Sequence, residues 1–191
     1  MNDCYLDKYN TLMIDGGTVG ERIGRSGARH LWSIRTSAVD TIVIHYISAV
    51  AITPRRPYLF PSILGIFCDY GVSSHYLIER RGRVWRLVPE EKKAWHCGGS
   101  VMPAPDGRLG VNDFSIGIEL VATPTSGFTK KQYAALAALC RAIERRRGPM
   151  SYVGHQDVAG TAAVELGLRA VPKCDPGSLF DWEYFAYLRE R

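Results

Sequence analysis

The stretch Thr41-Ile42-Val43-Ile44-His45-Tyr46-Ile47 decides the fold. All of it except His45 is built from β-branched or aromatic residues that favour strands. Side chains alternate faces along a strand, so Ile42, Ile44 and Tyr46 share one side, and Val43, His45 and Ile47 the other. A run that is apolar on both faces suits a central, buried strand. The imidazole of His45 then sits in a core position, where a polar group needs a partner. A backbone carbonyl, a carboxylate and a metal ion all qualify, and this stretch alone does not choose among them.

A chain of 191 residues is long enough for one domain with a sizeable core. Its 46% hydrophobic and 23% charged content excludes a disordered or fibrous class. No run of about 18 apolar residues occurs, so no membrane span is expected. Residues 1–8 lack a basic segment followed by an apolar one, which argues against a secretory signal. The cysteines (Cys4, Cys68, Cys97, Cys140 and Cys174) are odd in number, widely spaced and without a C-x-x-C pair. That pattern argues against a dense disulfide framework and for a reducing compartment. The net charge of +5 suits an anionic partner, and nucleic acid and an anionic cell-wall polymer fit it equally. No nucleic-acid motif accompanies the charge, so no nucleic-acid partner is expected.

Outward from the core strand, residues 1–40 read as an irregular N-terminal extension. Residues 48–58, with Pro54, Arg55, Arg56 and Pro57, read as a loop. Pro61 fits the first turn of a helix running to about Tyr70 and ended by Gly71. Two strand-like runs between Ser73 and Val88 flank a polar turn at Gly82, which predicts a hairpin. Residues 99–112 read as a long surface loop, and such loops often carry function. Phe114–Val121 is a second strand, with Ile116, Ile118 and Leu120 on one face and Gly117, Glu119 and Val121 on the other. Glu119 is a carboxylate within an apolar run; it needs a strand end in water or a functional reason.

Thr129 and Gln132 form a capping-box pattern ahead of a long helix. Tyr133, Leu136, Ala137, Cys140 and Ile143 make its apolar stripe. Arg145, Arg146 and Arg147 in its last turn suit the negative helix end and solvent better than a nucleic-acid patch. Residues 152–155 form a short strand end, 160–169 a small helix and 173–177 a tight turn. Asp181 caps a final helix that turns Trp182, Phe185 and Leu188 inward.

His45, His155 and Asp175 are ligand-type residues near predicted strand ends. Catalytic zinc takes three such ligands and leaves a fourth position open. No short-range metal signature such as H-E-x-x-H is present, so spacing alone leaves the zinc site open.

The ordered set of segments resembles the type 2 N-acetylmuramoyl-L-alanine amidases. That family includes phage lysis amidases, a cytosolic amidase of cell-wall recycling and animal peptidoglycan recognition proteins. The resemblance runs from about residue 41 to 185. T-I-V-I-H-Y at 41–46 is similar to the family's first ligand strand, and G-V-S-S-H-Y-L-I at 71–78 to its second strand. Val88-Pro89 and A-W-H-C-G at 94–98 resemble V-P…A-W-H-A-G. N-D-F-S-I-G-I-E-L at 112–120 resembles N-D-x-S-I-G-I-E-L. G-H-Q-D-V-A at 154–159 resembles G-H-x-D-I-A, and K-C-D-P-G at 173–177 with F-D-W at 180–182 resembles K-x-D-P-G…F-D-W. Each piece is weak by itself; their order makes the match specific.

The resemblance implies that His45, His155 and Asp175 bind Zn2+, that Glu119 is the catalytic carboxylate, and that Lys173 assists at the reacting carbonyl. It implies hydrolysis of the amide between the muramic acid lactyl group and L-alanine of the stem peptide. Trp95, His96 and Asn112 are candidates for lining the substrate groove, with core packing as the alternative for Trp95 and orientation of another group for His96. His75 reads as structural and His30 as solvated. Residues 161–171 look like an insertion relative to compact members. Cys174 competes with Asp175 as third ligand, and the following Pro176-Gly177 favours Asp175.

The expectation is therefore one α/β domain over 41–191, a mixed central β-sheet flanked by helices with zinc at the edge of a groove. It acts as a monomer on peptidoglycan or soluble muropeptides. The compartment is cytoplasmic, or the cell wall if the chain is a phage lysis enzyme. The alternative is a peptidoglycan-binding recognition module without catalysis.

Overall fold

The computed structural model describes residues 31–191 and, before them, the backbone of three short strands: β1 (Cys4–Leu6), β2 (Leu12–Ile14) and β3 (Arg29–His30). Next come β4 (Trp32–Ile34), β5 (Thr41–Ile47), α1 (Phe60–Tyr70), β6 (Tyr76–Ile78), β7 (Val84–Arg86) and β8 (Lys92–Ala94). The chain continues through β9 (Ser115–Val121), α2 (Lys130–Arg147), β10 (Ser151–Gly154), α3 (His155–Val158), α4 (Thr161–Glu165) and α5 (Trp182–Arg189).

The central sheet has the order β10-β5-β9-β6-β7. Its first four strands are parallel and β7 returns antiparallel, so the sheet is mixed, as expected. β5 and β9 occupy central positions, and all seven residues of β9 are buried. Burial on both sides explains why neither strand alternates apolar with polar residues. The expectation of an irregular extension over 1–40 needs correcting. β1, β2 and β3 form a small antiparallel sheet, and β4 pairs with β8. Strands of two or three residues carry no readable period. The side chain of His30 lies outside the described residues.

One sheet face carries Ile42, Ile44, Ile116, Ile118 and Leu120, packed against α2 and α5 through Tyr133, Leu136, Cys140, Ile143 and Phe185. Thr129 accepts from the Gln132 backbone and the Gln132 side chain accepts from the Thr129 backbone, so α2 starts in the predicted capping box. Asp181 caps α5 by accepting from the Tyr184 backbone. The other face is covered in two parts. Ile63, Leu64 and Phe67 of α1 pack over Leu77 and Val121. Cys97, Val111, Phe114 and Val158 pack over Val43. His45 and Glu119 lie on this second face.

The arginines closing α2 do more than meet solvent. Arg146 and Arg147 each donate to a different oxygen of Glu90, both at 2.6 Å, and the Tyr76 hydroxyl donates to Glu90 at 2.6 Å. Glu90 is buried, so these partners offset its desolvation. The pairing is invisible to local reading because Glu90 lies far from α2 in the chain. Cys68 is disulfide-bonded, whereas Cys97, Cys140 and Cys174 are free. Among the described residues, no helix is long and apolar enough to cross a membrane.

Candidate active site

The β5–β9 register sets His45 directly opposite Glu119. Partners on adjacent strands project from the same face, so imidazole and carboxylate stand side by side. β10 pairs with β5 and ends at Gly154, delivering His155 at the start of α3 beside His45; their ring centroids are 4.4 Å apart. The 173–177 turn is tied to the same place. Gln156 donates its backbone N–H to the Asp175 carbonyl, and Gly177 donates to the Gln156 side chain.

The result brings together residues far apart in sequence. His45 Nδ1 and His155 Nδ1 lie 3.2 and 3.1 Å from the same oxygen, Asp175 Oδ2. Ligand atoms of the three residues all fall within 4.8 Å of one another. Cys174 is exposed and lines a different, smaller hollow with Tyr46 and Pro176. Asp175 thus faces the histidines and its neighbour does not.

The back of each imidazole is also engaged. His155 Nε2 donates to the Cys97 carbonyl at 3.2 Å, which leaves Nδ1 bare when the ring is neutral. The His45 side runs through a longer chain. The Ser115 hydroxyl donates to the Val111 carbonyl at 2.6 Å, so its oxygen accepts from His96 Nε2 at 3.3 Å. His96 Nδ1 is then an acceptor, and it lies 3.0 Å from His45 Nε2. Burial first, then His45, holds His96 well below the usual imidazole range, so the ring is neutral as this chain requires. His45 Nε2 carries the proton and Nδ1 turns its lone pair to Asp175. All three groups then offer lone pairs to a cation. The donor set fits zinc: two imidazole nitrogens, one carboxylate and hydrogen-bonded back sides.

Gly117 makes room for this chain. A Cβ there would lie 2.5 Å from the His96 ring, so only glycine lets the imidazole rest on β9. Asn112 accepts the backbone N–H of His96 and of Cys97, at 3.2 and 2.9 Å. Asn112 therefore shapes the loop and does not line the cavity. Trp95 departs from the groove expectation as well: it packs with the α1 core and donates to Ser33. His75, as expected, is structural. Its Nδ1 accepts from the Gly117 backbone, its Nε2 lies 3.0 Å from both Arg35 and the Lys92 carbonyl, and burial pushes it down to about 3.

These groups open into a cavity of about 560 Å³. Its lining combines polar groups, among them His45, Glu119, His155, Arg169, Lys173 and Asp175, with apolar side chains, among them Ile47, Ile52, Ile66, Phe67, Tyr70 and Val72. Glu119 is buried, and its Oε2 has no hydrogen-bond partner among the described residues. Burial, reinforced by Asp175, pushes its carboxyl well above the usual carboxylate range, and Lys173 opposes that push. Burial alone would raise Asp175 too, but the adjoining rings of His155 and His45 hold it well below that range. Two carboxyls in one cavity are thus shifted in opposite directions, as in acid–base sites. Sequence reading missed Ser115 and Arg169. Ser115 lay inside a recognised segment, and Arg169 carried no local signal.

A family model described as N-acetylmuramoyl-L-alanine amidase matches residues 35–177. The chain is 38% identical over 186 residues to the 1,6-anhydro-N-acetylmuramyl-L-alanine amidase AmpD of Citrobacter freundii, covering 97% of this chain and 84% of that protein. A crystal structure of a selenomethionine derivative of AmpD matches with a TM-score of 0.68 at 30% identity, over 96% of this chain and 98% of that one. The amidase AmiD from E. coli, solved with anhydro-N-acetylmuramic acid-L-Ala-D-γ-Glu-L-Lys, matches with a TM-score of 0.61 at 29% identity, over 89% of this chain and 65% of that one.

Proposed function

Because the chain belongs to the N-acetylmuramoyl-L-alanine amidase family, we propose that it works as a zinc hydrolase, with His45, His155 and Asp175 as the metal ligands. The bond it hydrolyses joins the lactyl group of N-acetylmuramic acid to L-alanine of the stem peptide. The observation that carries the zinc reading is the convergence of both Nδ1 atoms on Asp175 Oδ2 beside a buried, unpartnered Glu119 oxygen.

Zinc at such a site supplies Lewis acidity, polarising a carbonyl and lowering the pKa of water to about 7. The remaining steps belong to the chain. Glu119 takes a proton from the attacking water and delivers it to the leaving nitrogen, a contribution of about 10²–10⁴-fold. Its raised pKa suits both halves of that exchange. Lys173 places an ammonium in the same cavity, where it stabilises negative charge developing on the carbonyl oxygen. His96 and the Cys97 carbonyl hold the two ligand rings in the tautomer that leaves Nδ1 free. The apolar side chains that line the cavity favour exclusion of water from it.

The preferred substrate on this reading is a soluble 1,6-anhydro-muropeptide, the substrate named for the Citrobacter freundii relative. Digestion of that compound and of purified peptidoglycan, side by side with and without a chelator, tests it by mass spectrometry. Chelator-sensitive release of peptides beginning at L-alanine is the expected result, faster from the soluble compound. Binding without cleavage by zinc-loaded protein would turn the reading to a recognition module.

A further inference from the structure

We propose that Arg169 is a carboxylate-binding residue that selects stem peptides whose second residue is a γ-linked glutamate with a free α-carboxylate. This rests on the amidase reading and adds to it a basis for peptide preference.

Arg169 belongs to the insertion between His155 and Lys173, and that insertion is docked against the site. A Cβ on Gly99 would meet the Leu168 carbonyl at 2.0 Å, so glycine is what lets the two backbones touch. Arg169 completes the docking. Its Nε donates to the Val171 carbonyl at 2.7 Å, and its Nη1 to the carbonyls of Cys97 and Gly99 at 3.2 and 3.4 Å. The Cys97 carbonyl also accepts from His155, so the guanidinium and a ligand imidazole share one oxygen.

All those partners are neutral carbonyls. Among the described residues Arg169 makes no ion pair and its Nη2 makes no hydrogen bond, yet it lines the cavity. Lys173 lines the same cavity. The cavity wall therefore holds a second cation, immobilised on two of its nitrogens and unneutralised. A guanidinium held this way loses little freedom on binding a carboxylate.

The substrate places a carboxylate within reach. A γ-linkage uses the side-chain carboxyl of glutamate and leaves its α-carboxylate free. That group is one residue past L-alanine, about 7 Å from the scissile carbonyl at the usual residue spacing. Amidation of the same carboxyl removes the charge with almost no change of shape.

The test uses the full-length zinc-loaded protein and two anhydro-muramyl tripeptides, L-Ala-D-γ-Glu-L-Lys and the same compound with the glutamate α-carboxyl amidated. Wild-type protein is expected to favour the acid about tenfold or more in kcat/KM, mostly through KM. Arg169→Gln and Gly99→Ala are each expected to bring the acid down towards the amide. Equal kcat/KM for the two compounds in wild type, or a preference surviving in Arg169→Gln, would overturn the proposal while leaving the amidase reading standing. No cleavage of either compound by wild type would overturn both.

Discussion

Replacing Ser115 by Ala probes how the proposed metal ligands are held. The serine oxygen accepts from His96 Nε2, whose Nδ1 accepts from His45 Nε2. Alanine removes that acceptor. Metal-free protein has an escape: His96 and His45 both shift their protons to Nδ1, and His45 then donates to Asp175. The metal-bound protein has none, because His45 must turn a lone pair to the ion. Either His96 Nε2–H is left unsatisfied in a buried position, or two N–H groups face each other. An unsatisfied buried donor costs about 1–3 kcal/mol, and outer-shell changes of this kind cost about 10–100-fold in metal affinity. Ser115→Ala should therefore weaken zinc binding by about tenfold to a hundredfold, while the metal-free protein loses only the Ser115–Val111 hydrogen bond, about 1 kcal/mol. Competition against a chromophoric chelator measures the first and calorimetry the second. A zinc affinity within twofold of wild type would refute the hydrogen-bond chain.

Glu119→Gln keeps the shape of the side chain and removes its base; turnover should fall by at least about 10²-fold with bound zinc unchanged by elemental analysis, and loss of zinc would reassign the residue as a ligand. Asp175→Ala should weaken zinc far more than Cys174→Ala, since only Asp175 faces the histidines; titration of both variants decides it, and the reverse order would move the third ligand to the cysteine. His75 gives a stability prediction with a definite sign. Burial lowers it from 6.5 to about 3, so between those values the unfolded chain binds a proton that the folded chain refuses, and stability falls as pH drops through this window. The loss from this group between pH 7 and 5 is about 2 kcal/mol. Urea denaturation of metal-free wild type and His75→Asn should differ in pH slope by that amount, and parallel slopes would rule the effect out.

Much of this protein is legible locally. The strands at 41–47 and 115–121, the Thr129–Gln132 capping box and the Asp181 cap depend on neighbours within a few residues, and their periods and end signals stand in the chain itself. The ordered motifs also name His45, Glu119, His155, Lys173 and Asp175, which all line one cavity. Sequence alone could not say which way Asp175 and Cys174 turn, that Trp95 packs into the core, or that Arg146 and Arg147 hold a buried Glu90. It gave no sign that Ser115 stands behind His96 or that Arg169 reaches the cavity. Those facts follow from the β5–β9 register, from the close approach at Gly99 and Gly117, and from how the 161–171 segment docks. Contacts of that kind join residues far apart in the chain, so no local period encodes them, and only the assembled sheet decides which side chains meet.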